Sequence, residues 1–216
     1  MTGPDLKAEK RAAAETAAAM VESGMVVGLG TGSTVAELVP VLGARRLDIT
    51  CAATSPATEQ QATAHGLIVK PFTDIDRLDL AIDGADQVDP AGWLIKGAGG
   101  ALTRERIVAA AADRFVVMVS SDKPVERLHA PVPLELLAFG LGATLRELPD
   151  AVLRQAPPTP DGGVLADYHG EVGDPAVLAA LLDAAPGVVG HGLFPPSLVS
   201  TVLVARGHEV EMRQIS

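Results

Sequence analysis

The sequence predicts an α/β protein: a Rossmann-like, mainly parallel sheet with helices on both faces, joined to a small α+β lid domain. Three observations predict it. Short apolar runs such as Met25 to Leu29 (MVVGL), Leu78 to Ile82 (LDLAI) and Phe115 to Val119 (FVVMV) have the length of buried strands. Segments of helical spacing separate them, and strands alternating with helices imply parallel pairing with both sheet faces covered. Past Asp122 the texture changes, with frequent proline and shorter, alternating apolar runs.

In chain order, Pro4 to Ser23 reads as a helix, with Pro4 early, abundant alanine, and Gly24 as a stop. The strand Met25 to Leu29 turns through Gly30-Thr31-Gly32-Ser33-Thr34 into helical spacing over Val35 to Leu42. Asp48 to Ala53 is a second strand, Pro56 to His65 a helix closed by Gly66, and Leu67 to Val69 a short strand. Leu78 to Ile82 runs straight into Asp83-Gly84-Ala85-Asp86. Leu94 and Ile95 precede a second glycine loop, Lys96-Gly97-Ala98-Gly99-Gly100, followed by a helix over Arg104 to Ala112 and the strand from Phe115. The expected lid spans residues 130–198, with a turn at Pro160 to Gly163 and a helix over Pro175 to Ala184. Residues 1–129 and 199–216 form the expected main domain, closed by strands Val199 to Ala205 and Glu209 to Met212.

Composition narrows the partners. The 216 residues suit one domain with a satellite, and aromatics are only 3%, so the core must be aliphatic. A net charge of −10 and the lack of a Lys/Arg-rich stripe argue against nucleic acid. The N-terminal stretch lacks the apolar core of a signal peptide. The most apolar window, Val188 to Ala205, is broken by His191, Pro195 and Pro196, so no membrane span is expected. The single cysteine, Cys51, fits a reducing cytoplasm and reads as a buried structural thiol. The five histidines show no ligand spacing, so no metal site is expected.

Three loops carry possible chemistry. Between strand and helix, GLGTGST presents backbone amides, a helix N-terminus and the hydroxyls of Ser33 and Thr34, a fit for a phosphate monoester. It is no dinucleotide fingerprint, because Ser33 stands at the third glycine position, and no Gly-Lys-Ser/Thr follows for a nucleotide P-loop. A capped tight turn remains the plain alternative. Asp83 and Asp86, three apart past a strand end, suit proton shuttling to sugar hydroxyls, though Asp-Gly is also an ordinary turn. Lys96 and Glu105 supply a cation and a carboxylate base, the parts that abstract a proton beside a carbonyl and hold the enediolate. Taken singly, Glu105 also reads as a surface residue complementing a helix dipole.

In order, GLGTGST, TSPATEQQA, DGADQ, KGAGGALTRERI, SSDKPV, PVPLELL and PGVVGHGLF resemble the type A ribose-5-phosphate isomerase family across most of the chain. The resemblance implies a metal- and cofactor-independent aldose–ketose isomerase linking ribose 5-phosphate and ribulose 5-phosphate, commonly assembled as a homodimer or homotetramer. It implies that Thr31, Gly32, Ser33 and Thr34 contact substrate near its phosphate. Asp83, Gly84, Ala85 and Asp86 would line the sugar, with Asp83 helping to open the ring. Lys96, Gly97, Ala98 and Gly99 would meet the reacting end, with Glu105 the base. Lys123 and Lys7 would bind substrate. Two departures stand out. Gln87 replaces a carboxylate and is expected to alter Asp86, and Ala98 interrupts three glycines, with a clash expected if its φ is positive. Alternatives are an isomerase or deaminase of another sugar phosphate, or a non-catalytic sugar-phosphate sensor.

Overall fold

The computed structural model describes residues 4–215. Its first helix, α1 (Leu6–Ala19), begins at Asp5, whose carboxylate accepts from the Lys7 and Ala8 amides, and buries Ala13, Ala14, Ala17 and Ala18. The helix is shorter than the sequence suggests: Asp5 rather than Pro4 sets the start, because its side chain satisfies amides left unpaired in the first turn. Next come β1 (Val26–Leu29), α2 (Ser33–Arg45), β2 (Thr50–Ala53), α3 (Pro56–Ala64) and β3 (Ile68–Val69). The Ser55 hydroxyl caps α3 by accepting from Thr58 N.

The chain continues through β4 (Leu80–Gly84), β5 (Gln87–Val88), β6 (Leu94–Ile95), α4 (Leu102–Ala110) and β7 (Phe115–Ser120). Residues 130–198 add β8 (Val132–Leu136), α5 (Leu141–Glu147), β9 (Ala151–Leu153), β10 (Val164–Tyr168), α6 (Pro175–Ala184), β11 (Val188–His191) and β12 (Leu193–Phe194). Strands β13 (Thr201–Arg206) and β14 (Glu209–Gln214) close the chain.

The main sheet has seven strands in the order β14-β13-β7-β4-β1-β2-β3. All pairs are parallel except the β13–β14 hairpin at one edge. One core packs α1 and α2 on one face through Ala14, Leu38, Leu42, Leu80 and Ile82. A second core packs Val108 and Ala109 of α4 against Ala81, Val117 and Val204 on the other. The α/β class is therefore the one the strand–helix alternation predicts. Cys51 lies buried in β2, and burial pushes its thiol up to about 12, so it is no nucleophile at neutral pH.

Four antiparallel strands, β11-β8-β10-β9, form a second sheet under α6. A third, β12-β6-β5, pairs Leu193–Phe194 with Leu94–Ile95, segments about a hundred residues apart in the chain. Elements β5 and α5 are absent from the sequence reading, because a two-residue strand and a seven-residue helix have no measurable periodicity.

The strand order places the site. From β1 the chain moves outward to β2 and β3, then returns to β4 on the other side of β1. The order reverses between β1 and β4, so the loops leaving their carboxyl ends diverge and open a crevice. Those loops are Gly30 to Thr34 and Ala85–Asp86.

Candidate active site

A cavity of about 290 Å³ fills that crevice. It is lined by Thr31 to Thr34, by Gly84 to Asp86, by Lys96 to Gly99, and by Glu105 and Lys123, with Lys10 added from α1. A larger cavity of about 870 Å³ lies on the other side of α4, lined by Phe72, Ile107, Leu137 and Val189. It is lined by Lys70, Glu59, Glu135 and Asp161 but by none of Asp86, Lys96 and Glu105 or the glycine-loop residues Thr31 to Thr34, so the smaller one is the candidate site.

One end of the cavity is built for an anion. Gly32 starts α2 with φ 105° and no side-chain cap, leaving the first amides of the helix without a side-chain partner. Such amides attract negative charge. Lys10 Nζ donates to Ser33 Oγ at 3.0 Å, bringing a cation to the same corner. Lys7, the lysine expected there, is exposed and does not line the cavity. With the helix starting after Asp5, Lys7 sits in its first turn, and Lys10 lies one turn nearer the loop on an adjacent face. Lys7 is implied by the resemblance, and no local signal in the sequence singles out Lys10. Buried Glu9 holds that turn in place, accepting from Ser121 N at 2.8 Å and Gly207 N at 3.0 Å. Ser121 belongs to the loop carrying Lys123, whose ammonium is 3.1 Å from Asp122.

The other end holds three buried charged groups. Lys96 Nζ lies 2.8 Å from Asp83 Oδ2 and 3.3 Å from Glu105 Oε2, with all three side chains at most 4% exposed. Lys96 also donates to the carbonyl of Gly84. Glu105 shares the inward face of α4 with Leu102 and Ala109, so it is a site residue rather than a surface one. Asp83 sits one layer below the cavity, accepting from Thr31 N at 3.2 Å and Gly84 N at 2.7 Å. It packs so tightly under the first loop that a Cβ on Gly30 would stand 1.8 Å from its Cγ.

Burial raises both carboxyl groups above their usual range. For Asp83, Lys96 and the two amides offset part of that effect. For Glu105, burial and then the Asp83 charge outweigh Lys96 and push it up to about 8. Burial alone would lower Lys96, but Asp83 and Glu105 hold it above the usual lysine value. The ammonium therefore stays charged, while Glu105 is the group that exchanges a proton near neutrality. Its Oε2 is buried, and its polar neighbour is the Lys96 ammonium at 3.3 Å, a distance longer than the 2.8 Å from that ammonium to Asp83. A buried carboxylate on a cavity wall is placed to take a proton from a ligand.

Two expectations change. Ala98 does not clash, because among the described residues the one non-glycine with positive φ is Arg46. The strained position is Gly97, at φ 105°, where a Cβ would approach Leu102 Cβ to 2.7 Å. Gln87 points away from the cavity: its Nε2 donates to His129 O at 2.8 Å and its Oε1 accepts from His129 N at 2.9 Å. Gln87 thus ties β5 to the backbone of His129, while Asp86, in the bend before β5, lines the cavity.

The sequence model of the family described as Ribose 5-phosphate isomerase A (phosphoriboisomerase A) matches residues 50–209. The chain is 44% identical to Ribose-5-phosphate isomerase A of Gluconobacter oxydans (strain 621H), covering 98% of each chain. Among solved structures it is similar to ribose 5 phosphate isomerase A from Neisseria gonorrhoeae, with TM-score 0.94 and 27% identity over 100% of both chains. It is also similar to a D-ribose-5-phosphate isomerase in complex with phospho-erythronic acid, with TM-score 0.91 and 32% identity over 97% of this chain and 99% of that one.

Proposed function

The chain belongs to the ribose 5-phosphate isomerase A family, and from that premise we propose that its cavity interconverts D-ribose 5-phosphate and D-ribulose 5-phosphate through an enediolate. This is an aldose–ketose isomerisation of the non-oxidative pentose phosphate pathway. The observation that carries the residue assignment is the buried Glu105 carboxyl group on the cavity wall, 3.3 Å from the Lys96 ammonium.

The phosphate rests on the α2 N-terminus, Ser33, Thr34 and Lys10, with Lys123 nearby. That charge offsets a chain whose net charge repels anions. Lys96, backed by Asp83, opens the ring: its ammonium gives a proton to the ring oxygen as the bond from C1 breaks, and takes up the proton released from the O1 hydroxyl. Glu105 then removes the C2 proton. Lys96 and the amides of the Gly97–Gly99 loop hold the oxyanion. The O2 proton passes to O1 by way of Asp86, Glu105 returns its proton to C1, and the C2 carbonyl forms.

Mixing the protein with ribose 5-phosphate in deuterated water tests this. Ribulose 5-phosphate should form, with deuterium entering at C1 and, on reversal, at C2. No ketose would overturn the reaction, and ketose without any exchange, together with normal turnover by Glu105→Gln, would overturn the enediolate.

Gly30→Ala should lower kcat by about 10²-fold, the usual cost of misplacing a reacting group by roughly 1 Å. The added methyl can be housed only by moving Asp83, whose carboxylate is held on every side. Steady-state kinetics beside a thermal melt check it; near-normal kcat means that Asp83 is not needed where it stands.

Residues 130–198 are assigned as a lid unit, a reading supported by their separate antiparallel sheet and by the Arg154 hydrogen bonds to the Gly97–Ala98 loop. Exposed Phe139, Val152 and Leu153 in that unit support assembly as a homodimer or homotetramer. No helix among the described residues is long and apolar enough to cross a membrane. A cytoplasmic location is part of the same reading, supported by the unpaired thiol of Cys51.

A further inference from the structure

Behind the glycine loop, outside the cavity lining, lies Arg154. It follows β9 directly, and its backbone extends the β9–β10 ladder through Arg154 N to Leu165 O at 2.9 Å. Its guanidinium grips Asp167 on β10 with two parallel hydrogen bonds of 2.8 and 2.6 Å. The remaining reach goes to the loop: Nη1 donates to Gly97 O and to Ala98 O, both at 3.1 Å. Both side chains of the pair are mostly buried, at 18% and 22% exposed. A planar fork fixed by a carboxylate is a rigid way to aim two donors.

The consequence follows from peptide planarity. In a trans peptide the C=O and the next N–H point in opposite directions. Pulling the Gly97 carbonyl outward turns the Ala98 amide inward, where it donates to Asp86 Oδ2 at 3.0 Å. Pulling the Ala98 carbonyl outward likewise turns the Gly99 amide toward the cavity that Gly99 lines. One guanidinium thus sets the direction of two successive amides. Gly97, at φ 105°, lets the chain accept that orientation.

We propose that Arg154, held by Asp167, is a positioning residue for the isomerisation: it fixes the carbonyls of Gly97 and Ala98 outward so that the Ala98 and Gly99 amides meet Asp86 and the reacting end of the sugar. The inference rests on the isomerase reading and deepens it. Arg154 touches no substrate; it acts through the backbone of the loop, and it makes the lid sheet part of the catalytic geometry.

The test compares Arg154→Ala, Arg154→Lys and Asp167→Asn with the unaltered protein. For Arg154→Ala, kcat with ribose 5-phosphate should fall by about 10²-fold, as for loss of an oxyanion donor, while KM stays within roughly threefold. Phospho-erythronic acid carries a carboxylate at the end of a four-carbon sugar-acid phosphate, so it serves as an anionic probe for the donors proposed at the reacting end. Its Kd by titration calorimetry should rise roughly tenfold, the loss expected of one charge-assisted hydrogen bond. A partly unfolded sample would lower the binding stoichiometry and leave Kd unchanged, so this readout separates positioning from mere stability. Lysine should not rescue, because one ammonium cannot reach Asp167 and two carbonyls together. Millimolar guanidinium should restore part of the Arg154→Ala activity. Should that variant fail to fold, Asp167→Asn decides, with the same split between kcat and KM at smaller amplitude. An unchanged Kd for phospho-erythronic acid, or kcat within threefold of the unaltered protein, overturns the proposal. If the unaltered protein makes no ketose, the isomerase reading itself has failed.

Discussion

Glu105→Gln lowers kcat for ribose 5-phosphate by roughly 10²–10⁴-fold, the usual contribution of a general base, and leaves sugar-phosphate binding in place. The substitution keeps the shape of a side chain that is 4% exposed, so packing on α4 is preserved. It removes the one group that can carry the proton between C2 and C1. The lysine beside it cannot substitute, because Lys96 is held as an ammonium by two carboxylates. The pH profile gives a second signature. Burial and the Asp83 charge raise Glu105 to about 8, so in the empty site it is protonated at neutral pH. A base works deprotonated, so kcat/KM of the unaltered protein should climb with pH and level off above about 8. The residual activity of the glutamine variant should lack that limb. Stability runs the opposite way. Between its ordinary value and about 8, Glu105 keeps a proton in the folded state that the unfolded chain has released, so its contribution to stability falls as pH rises. Near-normal turnover in Glu105→Gln would remove the assignment.

Lys96→Met should cost both turnover and stability. The ammonium lies 2.8 Å from Asp83 and 3.3 Å from Glu105, and it stands 5.5 Å from the centroid of the Phe194 ring. Methionine keeps the length of the stem but leaves two buried carboxyl groups with no cation. Removing one partner of a buried pair typically costs about 3–5 kcal/mol. The carboxyl groups escape part of that by taking up protons, so the loss should be smaller near pH 5 than near pH 8, read by urea unfolding at both. Lost electrostatic stabilisation of the oxyanion should lower kcat by about 10²–10³-fold. A change confined to KM would show that Lys96 binds the ground state and does not hold the enediolate.

Much of the fold was legible because its signals are local. The runs around Val27, Leu80 and Val117 are too short and apolar for anything but buried strands, and each is punctuated by glycine or a capping residue. The boundaries slipped where a side chain rather than a composition decides them, as Asp5 does for α1. The short strands β5, β6 and β12 exist only through pairing, and no window of a few residues carries that information.

The loops of the site could be read as loops, and the residue types in them already pointed to phosphate, proton transfer and an oxyanion. Lys10, Gln87 and Ala98 show where that reading stops. Which lysine reaches the anion corner depends on where a helix begins and how it leans on Ser121 and Gly207. Whether Gln87 touches the chemistry depends on which face of a two-residue strand it occupies. Arg154 and Asp167 left no sequence signal, since nothing local relates them to Gly97 and Ala98.

By itself the sequence determined the α/β class, the aliphatic core, the order of the glycine and acidic loops, and the presence of Asp83, Lys96 and Glu105. These follow from periodicity and residue chemistry within short windows. Only the tertiary structure decided that the chain reverses direction between β1 and β4, bringing loops far apart in sequence to one crevice. It also decided that an ammonium and two carboxyl groups are buried together, and that burial and the Asp83 charge raise Glu105 to about 8. Desolvation and Coulomb coupling depend on distances through space, and those exist only once the sheet has closed.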